Sequence, residues 1–335
     1  MTIAAAPNSQ YPGAREVVAE MTFQSRHAFS IVVPVYQCAG CLGELCVRLE
    51  TALARLTDRY EIILVDDRSP DLGWQAILDL QSRYPSIHGI RLSRNFGQHV
   101  AITVGLAAAK GDVVVVMDCD LQDPPELIAD LYSKLLDQND IVLTRRVKRS
   151  HSVFRVLASR AYFVFLNQLS GQKMDSRYGA FSMISRKVVD AFLQFNERER
   201  QYILMLHWLG FRAGIVEYEH QVRTIGSTSY TLRRLVRLAI DGVMFQTTVL
   251  LKWIVSLGLL FAILGVALAI YLVYLRLNSA LVAGWTSLAV LILLSTGAIL
   301  ASLGVVALYI GKIFDQVKGR PLYIVDAVSE RAAEW

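Results

Sequence analysis

Short, nearly continuous β-branched runs alternate with amphipathic stretches over the first two-thirds of the chain. Residues 29–36, 60–67, 90–93, 112–118 and 140–144 predict strands. Residues 42–56, 74–84, 99–109 and 124–136 carry helical spacing between them. Apolar strands alternating with helices predict an α/β fold, a doubly wound, mainly parallel sheet covered on both faces. Such sheets bind ligands beyond the carboxyl ends of their strands. The polar residues gather at those ends: Tyr36 and Gln37, Asp66 and Asp67, Asp118 and Asp120. A purely structural strand end has no need for paired carboxylates.

The texture changes after Thr144. A basic cluster, Arg145, Arg146, Lys148 and Arg149, leads into residues 154–169, which have helical spacing. Residues 230–246 put Leu232, Leu235, Val236, Ala239, Ile240 and Val243 on one face, with arginines nearby. Both segments read as helices lying in a membrane interface. Two apolar stretches follow, 250–275 with Lys252 at its leading edge and 285–310 with no charge. Each exceeds the roughly 20 helical residues that cross a bilayer core. Arg233, Arg234, Arg237 and Lys252 precede the pair, Lys312, Lys318 and Arg320 follow it, and Arg276 alone lies between. The positive-inside bias puts both termini in the cytoplasm.

Composition adds little to this. A 54% hydrophobic fraction in 335 residues agrees with one large domain plus a membrane appendage. The formal net charge is +5, and no nucleic-acid partner is expected. Residues 1–27 lack the apolar core of a signal peptide and read as a poorly ordered leader. The four cysteines, Cys38, Cys41, Cys46 and Cys119, complete no zinc set and read as reduced thiols.

The strongest chemical signal is Met117-Asp-Cys-Asp-Leu-Gln-Asp-Pro-Pro125. Asp118 and Asp120, two residues apart directly after an apolar strand, can reach one hard cation. Magnesium and manganese take oxygen ligands and complete their shells with substrate phosphates. Such a cation stabilises the charge developing on a departing diphosphate.

That segment, together with Ser93-Arg-Asn-Phe-Gly-Gln-His99, Gly111-Asp112, Val32-Val-Pro-Val-Tyr36 and Leu64-Val-Asp-Asp-Arg-Ser69, resembles family 2 glycosyltransferases. The similarity is to the polyprenyl-phosphate sugar synthase branch, which includes dolichol-phosphate mannose synthases and bacterial undecaprenyl-phosphate sugar transferases. It spans roughly residues 29–323. Asn95-Phe-Gly-Gln-His99 and Asn196-Glu-Arg198 look closest to the undecaprenyl-phosphate aminoarabinose transferases.

The resemblance implies a GT-A type catalytic domain and an inverting transfer from a nucleotide sugar to a polyprenyl phosphate. Pro34, Tyr36, Asp67 and Asp118 would bind the nucleotide sugar. Asp118, Asp120 and Gln122 would hold Mg2+ or Mn2+ and the diphosphate. Arg146 (or Arg145), Arg155, Ser159 and Arg223 match positions that grip the acceptor phosphate. Arg155 and Ser159, four apart, share one helix face, and arginine forks suit phosphate oxygens. Asp175 lies where related enzymes place a proposed base; it could instead orient the acceptor or position the sugar. A uridine-linked donor is implied over a guanosine-linked mannose donor, and related enzymes are often homo-oligomers.

The resulting plan is a leader (1–27), a cytoplasmic GT-A domain (28–229), an interfacial helix (230–248), a two-helix anchor (249–311) and a cytoplasmic tail (312–335), in a bacterial inner membrane. The chain departs from the family at Gln37-Cys38, Arg68, Phe181-Ser-Met183 and Gly226-Ser-Thr-Ser-Tyr230, where the usual lysine is absent. These departures keep one alternative, a non-catalytic membrane-tethered nucleotide-binding scaffold; a processive polysaccharide synthase of the same superfamily is a second. The second lacks support, since no Gln-x-x-Arg-Trp occurs.

Overall fold

A computed structural model describes residues 27–147, 178–198, 200–218, 249–278 and 284–329. They fall into two units, 249–278 with 284–320 forming the second and the remainder the first.

The first unit is built on strands β1 (Phe29–Val35), β2 (Tyr60–Asp66), β3 (Ile87–Leu92), β4 (Val113–Val116), β5 (Ile141–Arg146), β6 (Tyr178–Ser185), β7 (Ala213–Tyr218) and β8 (Val325–Val328). Its described α-helices are α1 (Ala39–Leu53), α2 (Gly73–Arg83), α3 (Gln98–Ala108), α4 (Ile128–Leu136), α5 (Arg186–Leu193) and α6 (Tyr202–Leu209). The sheet order is β7-β5-β6-β4-β1-β2-β3-β8. The pairs β1–β2, β1–β4, β2–β3 and β5–β7 are parallel. β6 runs antiparallel to β4 and β5, and β8 antiparallel to β3. The sheet is thus mixed and mostly parallel.

The continuous apolar runs exist because both faces are covered. In β1, Phe29, Ile31, Val33 and Val35 join a core containing Leu42, Leu45 and Leu49 of α1 and Ile128 and Leu131 of α4. Val32 faces the other core, with Ala101, Ile102 and Val104 of α3 and Phe192 of α5. Each fully buried aliphatic side chain stabilises the fold by about 1.5–3 kcal/mol.

The chain moves outward from β1 through β2 to β3, then crosses back to β4 on the other side of β1. That reversal makes the carboxyl ends of β1 and β4 the topological switch point, the place where an open α/β sheet holds its ligand. Gly111 lets the chain enter β4 tightly against β1. A Cβ there would come 2.6 Å from the Ser30 nitrogen and 2.8 Å from the Ala28 carbonyl oxygen. Its amide donates to Ser30 Oγ at 2.8 Å, and that hydroxyl donates to the buried Glu61 at 2.7 Å. Gly111→Ala should therefore destabilise the protein by about 1–3 kcal/mol or more. The check is a lowered thermal midpoint; an unchanged one would refute the close approach.

β1 and β2 end one residue before their sequence-based limits, while β3 begins three residues earlier, at Ile87. His88 and Gly89 interrupt the apolar pattern, yet both are buried: His88 Nε2 lies 3.9 Å from Glu61, and Gly89 backs onto Ile77. The segment expected as a tail divides. Helix α8 (Trp285–Val317) takes its beginning, and β8 closes the sheet edge. There Asp326 pairs with Arg68 and Arg91, each at 2.7 Å.

The second unit contains α7 (Val249–Asn278) and α8. Within α8, Ser295–Val317 has a mean hydropathy of 1.9 and is long and apolar enough to cross a membrane. Its 23 residues span about 34 Å as a helix, against a hydrocarbon core of about 30 Å. The expected interfacial segments 154–169 and 230–246 lie outside the described residues.

Candidate active site

The residues past β1, β2 and β4 form one polar rim. Pro34 is buried within β1, opposite Val65 of β2, and Tyr36 just beyond it is exposed. Gln37, Arg68 and Leu121 adopt left-handed backbone, with φ of 56°, 55° and 60°. Such a conformation costs a non-glycine residue about 1–2 kcal/mol. Of the described non-glycine residues at positive φ, only Gln138 lies elsewhere. Strain concentrated at strand ends points to loops shaped for a ligand.

Asp67 is buried at the end of β2, and its two carboxylate oxygens accept hydrogen bonds from the Phe96 and Gly97 amides at 2.7 and 2.8 Å. Burial raises its pKa above the ordinary carboxylate value, with the two amides opposing the shift. Asp67 thereby fixes the corner that opens α3. The first residue of that helix, Gln98, reaches across and donates from Nε2 to Asp118 Oδ1. The Tyr202 amide lies 3.4 Å from His99 Nδ1, so the start of α6 meets the same corner.

Beyond β4, Asp118 and Asp120 are partly exposed and flank the buried Cys119. Asp120 Oδ1 accepts from the Gln122 amide at 3.2 Å, closing the turn on which Gln122 itself is partly exposed. The Cys38 thiol donates to the Cys119 carbonyl at 3.1 Å, tying the start of α1 to this loop. Its interaction with Cys119 and its burial push the thiol far up in pKa. All four cysteines are free and buried, as reduced structural thiols are.

The loop ends on Asp123, which is buried. Tyr218 at the end of β7 donates its hydroxyl to Asp123 Oδ1. Arg146 Nε donates to the same Tyr218 oxygen at 3.1 Å, and Arg146 Nη2 lies 3.6 Å from Asp123 Oδ1. Burial alone would pull the Arg146 pKa down, but the Asp123 charge holds it above its ordinary value. The neighbouring Arg145 pairs instead with Glu217. Successive strand residues point to opposite faces, so of these two arginines only Arg146 faces the carboxylate loop.

The structure therefore places Tyr36, Asp67, Asp118, Asp120, Gln122 and Arg146 at the carboxyl ends of β1, β2, β4 and β5, along one edge of the sheet. Arg155, Ser159, Asp175 and Arg223 lie outside the described residues. Gln98, Asp123 and Tyr218 belong to the site without having been singled out from the sequence. Gln98 stood inside a motif used only for resemblance, and Tyr218 carried no local signal.

A doubly wound sheet with paired carboxylates at its switch point is the arrangement of a protein that binds a polar ligand beyond its strand ends. Residues 30–193 match the family described as glycosyl transferase family 2. An uncharacterized glycosyltransferase of Bacillus subtilis, YkcC, is 34% identical over 304 residues, covering 90% of this chain and 94% of its own. The undecaprenyl-phosphate 4-deoxy-4-formamido-L-arabinose transferase of Salmonella choleraesuis is 33% identical over 305 residues, covering 89% and 93%. Among solved structures, glucosyl-3-phosphoglycerate synthase from Mycobacterium tuberculosis is similar at a TM-score of 0.46 and 16% identity, covering 72% of this chain and 84% of that one. The chain belongs to glycosyltransferase family 2, and the sheet described above is that family's GT-A type α/β fold.

Proposed function

We propose that this protein transfers a sugar from a nucleoside diphosphate to a polyprenyl phosphate, with inversion, at the cytoplasmic face of a bacterial inner membrane. The observation that carries this reading is the loop with Asp118 and Asp120 at the switch point of a chain that also bears a membrane-length apolar helix. Similarity along nine-tenths of the chain to relatives named for transfer to undecaprenyl phosphate supports the acceptor class.

The donor set fits a hard divalent cation. Among the described residues no group of three or more His, Cys, Asp and Glu side chains could hold a metal ion. Asp118 and Asp120 instead offer a two-carboxylate site with Gln122 beside it, the kind that Mg2+ or Mn2+ completes with water and substrate phosphates. A bound Mg2+ or Mn2+ would act as a Lewis acid on the departing diphosphate. Gln98 keeps the Asp118 carboxylate aimed, and Pro34, Tyr36 and Asp67 line the side on which the nucleotide lies.

Arg146, Arg155, Ser159 and Arg223 grip the acceptor phosphate in this reading. A phosphate oxygen attacks the anomeric carbon in line, the nucleoside diphosphate leaves, and the sugar remains on the lipid. The acceptor phosphate is largely ionised near neutral pH, so Asp175 serves it either as a base or by orienting it. Helices α7 and α8 both cross the bilayer, with both chain termini in the cytoplasm. The donor is a uridine diphosphate sugar.

The test uses full-length protein in detergent with Mg2+ or Mn2+, undecaprenyl phosphate and a panel of nucleotide sugars. Mass spectrometry should find a lipid-linked monosaccharide, and a chelator should abolish it. No lipid product with any donor overturns the reading.

A further inference from the structure

Arg146, the side chain proposed to meet the lipid phosphate, is held by two groups of the protein. Its Nε donates to the Tyr218 hydroxyl, and Nη2 faces Asp123. The Tyr218 hydroxyl in turn donates to Asp123, whose side chain has no exposed surface. A tyrosine oxygen can accept one hydrogen bond while donating another, so this hydroxyl stands as a relay between cation and anion. Burial, followed by the Asp123 charge, raises its pKa, so it keeps the proton it donates.

The packing leaves the guanidinium little freedom. The Phe181 ring meets the Tyr218 ring edge to face, with centroids 6.3 Å apart. On another side, a Cβ added to Gly179 would come 3.0 Å from Arg146 Nη2. Yet the Arg146 side chain keeps 24% of its surface exposed, and its hydrogen bond and ion pair within the described residues engage Nε and Nη2. Among the described residues the guanidinium is therefore clamped along its Nε–Nη2 edge, and the Asp118 charge also reaches it.

We propose that Tyr218 is a positioning residue that registers Arg146, and through it the acceptor phosphate, against the carboxylate loop. It does so by joining β7 and β5 to Asp123, the far end of the loop that carries Asp118 and Asp120. The Nη1 side of Arg146 then meets the phosphate at a fixed offset from the departing diphosphate. Fixing reactants in register lowers the entropy lost in reaching the transition state. This rests on the acceptor-phosphate reading of Arg146 given above.

The experiment measures KM for polyprenyl phosphate, KM for the nucleotide sugar and kcat in the full-length enzyme. Tyr218→Phe keeps the buried ring and removes the relay. It should raise the acceptor KM about tenfold, the scale of one charge-linked hydrogen bond, and leave the donor KM within about twofold. Gly179→Ala, which crowds the guanidinium without touching Tyr218, should act in the same direction and serves if Tyr218→Phe folds poorly. In an Arg146→Ala background the Tyr218→Phe effect should vanish, because the two act as one unit. An equal Tyr218→Phe effect in both backgrounds, or an unchanged acceptor KM in active enzyme, overturns the proposal. Wild-type enzyme that makes no lipid-linked sugar overturns the reading beneath it instead.

Discussion

Asp120→Asn should lower kcat by about a thousandfold while leaving the thermal midpoint within about 2 °C of wild type. The carboxylate has two separable jobs. Its Oδ1 accepts the Gln122 amide at 3.2 Å, which closes the turn, and its charge would hold a cation with Asp118. Asparagine retains an oxygen for the turn and loses the charge. A metal acting on a departing diphosphate supplies several kcal/mol of transition-state stabilisation, and each 1.36 kcal/mol is tenfold in rate. Asp120→Ala should lose the same activity and some of the turn. Binding provides a second readout: Mn2+ added with UDP should bind wild type, seen as loss of the free-ion resonance signal, and Asp120→Asn should bind it at least tenfold more weakly. A variant that keeps more than about a tenth of wild-type kcat would remove Asp120 from the metal site. A variant that loses all turnover but leaves a cellular phenotype intact would favour a scaffold.

The half of the sheet around β1, β2 and β4 was legible because those strands are buried on both faces and read as nearly continuous apolar runs. β6, β7 and β8 were not singled out. β6 mixes glycine, serine and apolar residues, and β7 alternates because much of it is exposed. β8 is four residues long and lies far along the chain from β3, the strand it pairs with. The site divides in the same way. Asp118 and Asp120 are close in sequence and follow a clear strand, so their pairing was readable. The contacts that hold them were not, because they join distant residues: Gln98 to Asp118, Asp67 to the Phe96 and Gly97 amides, Tyr218 to Asp123. Arg145 and Arg146 were interchangeable by spacing, and only strand alternation in the folded sheet separates them. The cysteine spacing suggested little, and in the fold the Cys38 thiol donates to the Cys119 carbonyl.

Asp67→Ala should be the most damaging single change near the nucleotide side, and it separates two roles for that carboxylate. If Asp67 only touched the nucleotide, its loss would raise the donor KM and leave stability alone. Both of its oxygens, however, accept backbone amides at the corner before α3. Alanine would leave those two amides without their acceptor, at about 1–3 kcal/mol each. The thermal midpoint should therefore fall by roughly 5–10 °C. The corner carries Gln98, so Asp118 should lose that hydrogen bond as well, and both the donor KM and the apparent metal constant should rise about tenfold. Asp67→Asn keeps one acceptor but sets an amide donor against the other N–H, and should recover less than half of the loss. The pH dependence follows from the raised pKa of Asp67. A carboxyl with a raised folded pKa contributes stability that is complete below its unfolded pKa and is lost as pH rises through the folded value. The stability gap between wild type and Asp67→Ala should thus narrow from acidic toward neutral pH. A raised donor KM with an unchanged thermal midpoint at every pH would assign Asp67 to the nucleotide and remove it from the corner of α3.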